Sequence, residues 1–458
     1  MSRARPLVVI DIVGLTPGML GESTPAINAV AADGFMAPMD GVFPAVTCTA
    51  QSSMLTGALP CDHGIVGNGW YFRDLAEILF WRQANRIVRG EKVWDVLRRD
   101  VDGFRCAQMF WWYNMYAAVD YSVTPRPIYP ADGRKIPGIY SQPAQLGEQL
   151  EQRLGDFPMF NFWGPASGIQ SSAWIADASR AVFEMHAPDL MFVYLPHLDY
   201  GLQKLGPGHP DIKDEIAAID RVAGQLIDAV RARGAEVMIV SEYGIEPATH
   251  VVHINRVLRE QGYIAVRNTL SWELLDPGAS RAFAVADHQV AHVYVRDAGD
   301  IAAVRRLLES TPGIAHVLGG DDKKTWGMDH PRSGELVVQA EANAWFTYYY
   351  WLDDGLAPDF ARTVDIHRKP GYDPVELFLD PELAAPRARI AFRVLQKKLG
   401  LRMLMDVIPL DADLVKGTHG RLFTDLDAGP VMISSSRDFA RDRFNMLDVK
   451  STIVDRLR

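Results

Sequence analysis

The 458-residue chain has few cysteines, no long apolar run and no excess of basic residues. Its three cysteines, Cys48, Cys61 and Cys106, form no CxxC pair and no disulfide framework, so buried thiols are their expected role. No run of about 18 apolar residues occurs, and the N-terminus lacks the apolar core and small-residue cleavage site of a signal peptide. These absences predict a soluble protein of a reducing compartment, the cytoplasm, without a membrane partner.

The charge balance argues against a nucleic-acid polymer as partner. The chain has 47 basic and 57 acidic residues, which gives a net charge of −10 with neutral histidines. A nucleic-acid-binding protein normally carries a basic domain or stripe, and none is visible here. An anionic small molecule would need local cations, which bound metal ions could supply. Walker A, GxGxxG, HExxH and GxSxG motifs are also absent, so dinucleotide redox chemistry and a serine esterase are poor alternatives.

Three short apolar runs have the composition of buried parallel strands. They are residues 7–12, 190–195 and 237–240. Residues 211–234, between the second and third runs, place apolar side chains on one helical face, which predicts a helix. Strand, helix and strand in this order predict a right-handed βαβ unit and therefore an α/β fold.

An acidic residue lies in or just after each of these runs: Asp11, Asp199 and Glu242. In open α/β sheets, ligands bind at the carboxyl ends of the strands. Three carboxylates at one edge would repel each other unless they were protonated or bridged by cations. The pattern therefore predicts a metal site or a general acid/base site.

Residues 264–410 have a different organisation. Strand-like residues 292–295, a helix at 300–308, and strands at 316–318 and 335–338 give the order β-α-β-β, which predicts a small ferredoxin-like α+β cap. We therefore expect a core formed by residues 1–263, a cap at 264–410, and a return to the core at 411–458.

Several short motifs carry a resemblance to a known family. They are the strand that ends at Asp11, Phe43-Pro-x-x-Thr47, His63-Gly-Ile-Val-x-Asn68, Ser241-Glu-Tyr-Gly244 and Thr418-His-Gly420. Together they resemble the nucleotide pyrophosphatase/phosphodiesterases of the alkaline phosphatase superfamily, which are related to phosphonoacetate hydrolases. The resemblance implies an α/β core with a mostly parallel central sheet flanked by helices, and an inserted, smaller α+β cap.

The resemblance implies two catalytic residues, Thr47 and Asn68. Thr47 stands where a loop enters a helix, and helix N-termini favour phosphoryl oxygens. A threonine hydroxyl is a poor nucleophile unless a base or a metal lowers its pKa. By resemblance, Thr47 forms a phospho-threonine and Asn68 donates a hydrogen bond to a phosphate oxygen. Structural roles for both remain the alternative, and Thr49 and Ser52 are lesser candidates.

The resemblance also implies two divalent metal ions, zinc first, with manganese, iron, magnesium or calcium as alternatives. The positions that match the family's ligands are Asp199, Gln203 and His419 in one site, and Asp11, Thr47, Glu242 and Tyr243 in the other. The family has histidine where Gln203 stands and Asp-His where Glu242-Tyr243 stands. An amide and a phenol are weaker ligands than imidazole, which makes oxygen-preferring ions more plausible than usual.

Two acid–histidine pairs are additional candidate ligands: Asp287 with His288, and Asp365 with His367. Residues two apart in sequence share one face of a strand, so we expect Asp365 and His367 to point together. Lys369 could face a phosphate, with a salt-bridged loop as the alternative. Two aromatic runs, 110–116 and 345–351, fit either a core or a stacking wall for a base, a ring or a lipid-like leaving group.

These observations predict a metal-dependent hydrolase of a phosphodiester or pyrophosphate bond in a small phosphorylated molecule, acting through a phospho-threonine. Hydrolysis of a phosphonate or phosphomonoester on the same frame is the alternative among hydrolases, and phosphoryl transfer to another acceptor is a third. The altered ligands also allow a catalytically inactive binding homologue. The oligomeric state is left open.

Overall fold

A large mixed sheet forms the centre of the computed structural model, which describes residues 4–131 and 135–458. The strands are β1 Leu7–Ile12, β2 Phe35–Asp40, β3 Gly69–Phe72, β4 Glu77–Phe80, β5 Cys106–Met109, β6 Tyr121–Pro125, β7 Ile139–Gln142, β8 Leu190–Leu195, β9 Glu236–Val240, β10 Glu246–Pro247, β11 His250–Val252, β12 Val266–Thr269, β13 Trp272–Leu275, β14 Ala282–Asp287, β15 Val290–Val295, β16 Ile314–Gly319, β17 Leu336–Ala340, β18 Ala344–Phe346, β19 Gly417–Thr418, β20 Val431–Ser434 and β21 Phe444–Asn445.

Helices pack on this sheet and between its strands in sequence. They are α1 Pro25–Asp33, α2 Thr47–Thr56, α3 Pro60–His63, α4 Val93–Asp100, α5 Ala144–Leu154, α6 Met159–Phe162, α7 Ile169–His186, α8 His197–Leu205, α9 Ile212–Arg231, α10 Ile254–Glu260, α11 Ile301–Glu309, α12 Asp321–Thr325, α13 Pro386–Lys398 and α14 Asp448–Leu457. Among the described residues, no helix combines the length and the apolar character needed to cross a bilayer.

The strand order of the large sheet is β21-β2-β20-β9-β1-β8-β5-β6-β7, and the pairs β9-β1, β1-β8, β8-β5 and β5-β6 are parallel. The predicted βαβ unit is present as β8, α9 and β9. The α/β fold with a mostly parallel central sheet and flanking helices is therefore confirmed.

Both faces of strand β1 are buried, as its uninterrupted apolar run predicts. Val8 and Ile10 belong to an apolar cluster that includes residues of α7 and α9. Leu7 and Val9 point to the opposite face, where they join residues of α2, α4 and α14. A parallel strand covered by helices on both sides has no solvent face, which explains why only its terminal acid is polar.

The second sheet is antiparallel, with the order β14-β15-β17-β16 and helix α11 in the connection from β15 to β16. The ferredoxin-like β-α-β-β prediction is wrong in one respect, because strand β14 precedes it and the unit is β-β-α-β-β. The strands β14 and β15 form a tight hairpin whose last pair is Asp287 and Val290. The tip of this hairpin reaches the end of the large sheet.

Candidate active site

Three buried acids meet at the carboxyl edge of the large sheet. Asp11 stands in β1 opposite Tyr194 of β8 and Val240 of β9. Glu242 follows β9 by two residues, and Asp199 lies in the first turn of α8, directly after β8. All three side chains are buried. Parallel neighbouring strands end at the same edge, which is why residues far apart in sequence converge here.

Thr47 is the first residue of helix α2, as predicted, and its side chain lines a large cavity. The loop after α3 fixes the start of this helix. Asn68 Oδ1 accepts a hydrogen bond of 2.9 Å from the backbone N–H of Cys48, and Thr49 Oγ1 donates to the Ile65 carbonyl at 3.1 Å. Asn68 thus holds the first turn of α2, which is the structural role rather than the predicted phosphate contact.

Asp11 and Glu242 form a carboxyl pair bridged by a glutamine. Gln51 Nε2 donates to Asp11 Oδ2 at 3.1 Å and to Glu242 Oε1 at 2.7 Å. The orientation of this amide is fixed, because its oxygen accepts a 2.7 Å hydrogen bond from the backbone N–H of Trp112. Burial, the charge of Glu242 and a hydrogen bond between the two acids raise the pKa of Asp11 well above its ordinary value. We infer that the pair holds one shared proton.

A hydrogen-bonded chain connects Thr47 to Asp199 through a tyrosine. The Thr47 hydroxyl and the Tyr243 hydroxyl are 3.0 Å apart, and the Tyr243 hydroxyl donates to Asp199 Oδ1 at 3.4 Å. Burial and the charge of Glu242 raise the pKa of Asp199 to about 7. Burial also raises the pKa of Tyr243 well above its ordinary value, so the phenol keeps its proton. Asp199 is therefore an acid that changes charge near neutral pH.

Gln203 is engaged by neighbours on both sides. Its Nε2 donates to Asp199 Oδ2 at 2.7 Å, and its Oε1 accepts from the Tyr372 hydroxyl at 3.1 Å. A carboxylate accepts only from a donor, so the nitrogen of the amide faces Asp199. The side chain that replaces a predicted histidine ligand thus works as a donor and positions Asp199.

Four aromatic rings stack in one row beside the acids: Tyr372, His288, His419 and Tyr243. Successive ring centroids are 3.6, 3.7 and 3.6 Å apart. His419 Nδ1 donates to the Ala45 carbonyl at 2.8 Å, which leaves its Nε2 without a proton, 3.7 Å from Asp199 Oδ1. Burial lowers the pKa of both histidines well below the ordinary value, so both rings are neutral.

The hairpin tip between β14 and β15 supplies Asp287 and His288. His288 has a left-handed backbone with a φ of 57°, which turns its ring into the row. Its Nδ1 donates to Asp287 Oδ1 at 2.8 Å, and its Nε2 is buried with no hydrogen-bond partner. Asp287 also accepts two hydrogen bonds from Asn68, at 2.8 and 3.1 Å. The tip therefore ties the second sheet to the start of helix α2.

Asp365 and His367 do not join this cluster as predicted. The predicted strand is wrong, because residues 366–368 form a turn. The Asp365 backbone N–H donates to Glu376 Oε1, while His367 lies on the wall of the cavity. Lys369 is buried between Asp373 at 2.7 Å and Glu376 at 2.8 Å, so the salt-bridged alternative holds for it.

The donor chemistry does not fit the predicted pair of metal ions. Divalent ions need several lone pairs that converge on one point. The amide nitrogens of Gln51 and Gln203 face the carboxylates instead, and an N–H group cannot coordinate a cation. Across residues 4–131 and 135–458, no group of three or more His, Cys, Asp or Glu side chains is arranged to hold a metal ion.

A cavity of about 630 Å³ opens from Thr47 away from the acids. Its polar end consists of Thr47, Tyr243, Asp199, His288 and His419. The rest of the wall is mostly aromatic and aliphatic, and includes Trp81, Trp112, Phe162, Trp163, Tyr372 and Met405. Of the first predicted aromatic run, Trp112 reaches the cavity, whereas residues 345–351 are buried in the second apolar cluster.

Sequence reasoning missed two partners of the acids. Gln51 lies in a buried helix four residues after Thr47, one helical turn away, so the i,i+4 spacing places it on the same face and could have indicated it. Tyr372 comes from a distant segment with no regular pattern, and no signal in the sequence connects it to Gln203.

Comparison with protein families gives one match that covers most of the chain. A model described as type I phosphodiesterase/nucleotide pyrophosphatase matches residues 7–373. Among curated proteins, an uncharacterized pyrophosphatase/phosphodiesterase of Schizosaccharomyces pombe is 23% identical over 248 residues. The match covers 52% of this chain and 42% of that protein, so it spans less than half of the relative's length.

Solved structures with the same fold include two kinds of enzyme. Murine ectonucleotide pyrophosphatase/phosphodiesterase 5, an inactive variant in complex with AMP, is 14% identical with a TM-score of 0.59, and the match covers 99% of this chain and 95% of that one. Phosphonoacetate hydrolase from Sinorhizobium meliloti 1021, in complex with phosphonoformate, is 15% identical with a TM-score of 0.63, over 100% and 96% of the two chains. These similarities show the fold.

Proposed function

The chain belongs to the type I phosphodiesterase/nucleotide pyrophosphatase family, and from this we propose that it hydrolyses phosphoric or phosphonic esters with Thr47 as the nucleophile. The observation that carries the proposal is the position of the Thr47 hydroxyl. It lies at the N-terminus of a buried helix, lines a large cavity, and is 3.0 Å from the Tyr243 hydroxyl. A hydroxyl with this surrounding has both a place for a phosphoryl group and a route for its proton.

The proton of Thr47 leaves through Tyr243. As Thr47 Oγ1 bonds to phosphorus, its proton moves to the Tyr243 oxygen and the phenolic proton moves to Asp199. The bond from phosphorus to the alcohol breaks, and the departing alcohol takes up a proton from Asp199. Water then hydrolyses the phospho-threonine with Asp199 as the base, which restores the Thr47 hydroxyl. Gln203 positions Asp199 for both steps through its 2.7 Å hydrogen bond.

The negative charge of the substrate needs compensation at the acidic edge. The shared proton of Asp11 and Glu242 removes one negative charge from this edge, and the positive end of the α2 helix dipole points at Thr47. Arg126, Lys135 and Lys397 add basic side chains to the cavity wall. A monoanionic diester is therefore a better substrate than a dianionic monoester, because it brings less charge to the buried acids.

The cavity indicates a substrate with a large apolar group. Aromatic and aliphatic side chains make up most of its wall beyond Thr47, and such walls bind apolar ligand surface. A volume of about 630 Å³ is within the range of sites that hold a drug-sized ligand. We propose a diester in which one alcohol carries an alkyl chain or a ring system.

Turnover of a chromogenic diester tests the proposal. The probe carries one p-nitrophenyl and one long alkyl group on phosphorus, and mass spectrometry of acid-quenched protein detects phosphate on Thr47. We expect p-nitrophenol release by the wild type, a phosphorylated peptide that contains Thr47, and neither in the Thr47→Ala variant. Turnover that persists in Thr47→Ala would contradict the nucleophile.

The misfit to metal ions favours a second candidate, a binding protein without turnover. In that case, the cavity and the polar end would still hold a phosphorylated amphiphile. Calorimetric titration with a non-hydrolysable phosphonate that carries an alkyl chain distinguishes the two. Tight binding without any Thr47-dependent turnover of the diester would establish the binding protein.

A further inference from the structure

Helix α13 and the residues after it carry a basic and apolar surface that is unlike the rest of the chain. Residues 386–405 contain six Lys or Arg residues and no Asp or Glu, whereas the whole chain has a net charge of −10. Arg389 and Arg393 are paired with Asp406, which follows the segment. Such a local reversal of charge indicates an anionic partner for this surface.

The same segment exposes large apolar side chains along one helix face. Phe392, Leu395 and Leu399 are 56, 52 and 67% exposed, and Ala388 and Ala391 lie on the same face. Their spacing of three and four residues makes them a continuous stripe, which we call the α13 ridge. Leu401 and Leu404 extend the exposed apolar surface past the end of the helix.

The opposite side of helix α13 belongs to the cavity. Ile390 and Val394 line it together with Lys397, and Met403 and Met405 continue the wall. One short helix thus separates the apolar cavity from an exposed apolar stripe. A helix with basic residues beside a Phe/Leu face has the pattern of helices that lie in the interface of a membrane.

We propose that the α13 ridge docks on the surface of an anionic lipid bilayer. The apolar stripe enters the boundary between headgroups and acyl chains, and basic side chains such as Arg387, Lys398 and Arg402 face the anionic headgroups. Docking places the cavity wall at the lipid surface. If the proposed function holds, an apolar diester passes from the bilayer to Thr47 along this wall.

Vesicle flotation tests the docking without reference to activity. The full chain is mixed with vesicles of pure phosphatidylcholine or of equal parts phosphatidylcholine and phosphatidylglycerol. We expect the wild type to float with the anionic vesicles and far less with the neutral ones, with binding that weakens as salt rises. Failure to float with either vesicle type would overturn the proposal, whatever the chain does to a soluble diester.

Two variants locate the contact. Leu395→Glu places a charge in the ridge, and Arg387→Glu together with Lys398→Glu reverses its basic flank. Each should lower vesicle binding by about tenfold or more. Leu75→Glu, at a 59% exposed leucine in the β3–β4 hairpin, and Lys213→Glu, at an exposed lysine of α9, are matched controls that should bind like the wild type. Unchanged melting temperatures verify that all variants fold.

The alternative occupant of the ridge is a second copy of the chain. Light scattering of wild type and Leu395→Glu without lipid tests it. A wild-type monomer that floats with anionic vesicles supports docking. A wild-type dimer that Leu395→Glu converts to a monomer, combined with no flotation, would show that the ridge is a subunit interface and would overturn the membrane proposal.

Discussion

The two ends of the cavity are built on different principles. At the polar end, each of Asp11, Glu242, Asp199 and Thr47 has a partner at hydrogen-bond distance. At the apolar end, the contact area is spread over many aromatic and aliphatic side chains. The difference teaches where single atoms matter: loss of one hydroxyl should stop the chemistry, whereas loss of one apolar side chain should weaken binding only in part.

The largest effect is expected from the nucleophile. Thr47→Ala should lower kcat for the chromogenic diester by about 10⁴-fold, because no other hydroxyl has the same position. Binding of the non-hydrolysable alkyl phosphonate should stay within about twofold, since the apolar end is unchanged. Ser52→Ala is the matched control, because the Ser52 hydroxyl is buried in the same helix and has no hydrogen-bond partner. Equal losses in both variants would argue for a packing effect.

The second effect concerns the proton route. Tyr243→Phe should lower kcat by about 10²-fold with little change in KM, because it removes the hydroxyl between Thr47 and Asp199. The stack of the ring on His419, with centroids 3.6 Å apart, should keep the side chain in place. Wild-type kcat in Tyr243→Phe would mean that Thr47 loses its proton elsewhere.

A pH profile then measures the acid at the end of this route. Asp199 has a pKa of about 7, raised by burial and by the charge of Glu242, and it acts in its ionised form. Activity should therefore be present above about pH 7 and fall about tenfold per unit below it. Asp199→Asn should be nearly inactive at every pH, since an amide cannot accept the proton. A wild-type profile that is flat between pH 5 and 8 would contradict this role.

How far the sequence could predict this arrangement depends on the kind of residue. Asp11 and Asp199 were predictable because apolar strands ending in acids converge at one sheet edge. Gln51 and Tyr372 were not, because their role depends on packing between segments that no periodic pattern connects. Asp365 and His367 show the opposite failure: a two-residue spacing fits a strand, but the nearby Pro370-Gly371 favours the turn that is found.

The smallest effect is expected at the apolar end. Ile390→Ser removes apolar surface from the cavity wall and should raise KM for the alkyl diester about fivefold with kcat unchanged. Leu395→Ser, on the exposed face of the same helix, is the control and should leave KM unchanged in assays without lipid. If Ile390→Ser changed kcat instead, the two ends of the cavity would not be separable.

The central claim is that the polar end works through hydrogen bonds of Gln51, Gln203 and Tyr243 where the family resemblance implies two metal ions. Elemental analysis of the purified chain, combined with diester turnover before and after exhaustive dialysis against a chelator, tests it directly. The account predicts substoichiometric metal and the same Thr47-dependent kcat after dialysis. Two ions per chain, with turnover that is lost on chelation and recovered with zinc or manganese, would contradict it.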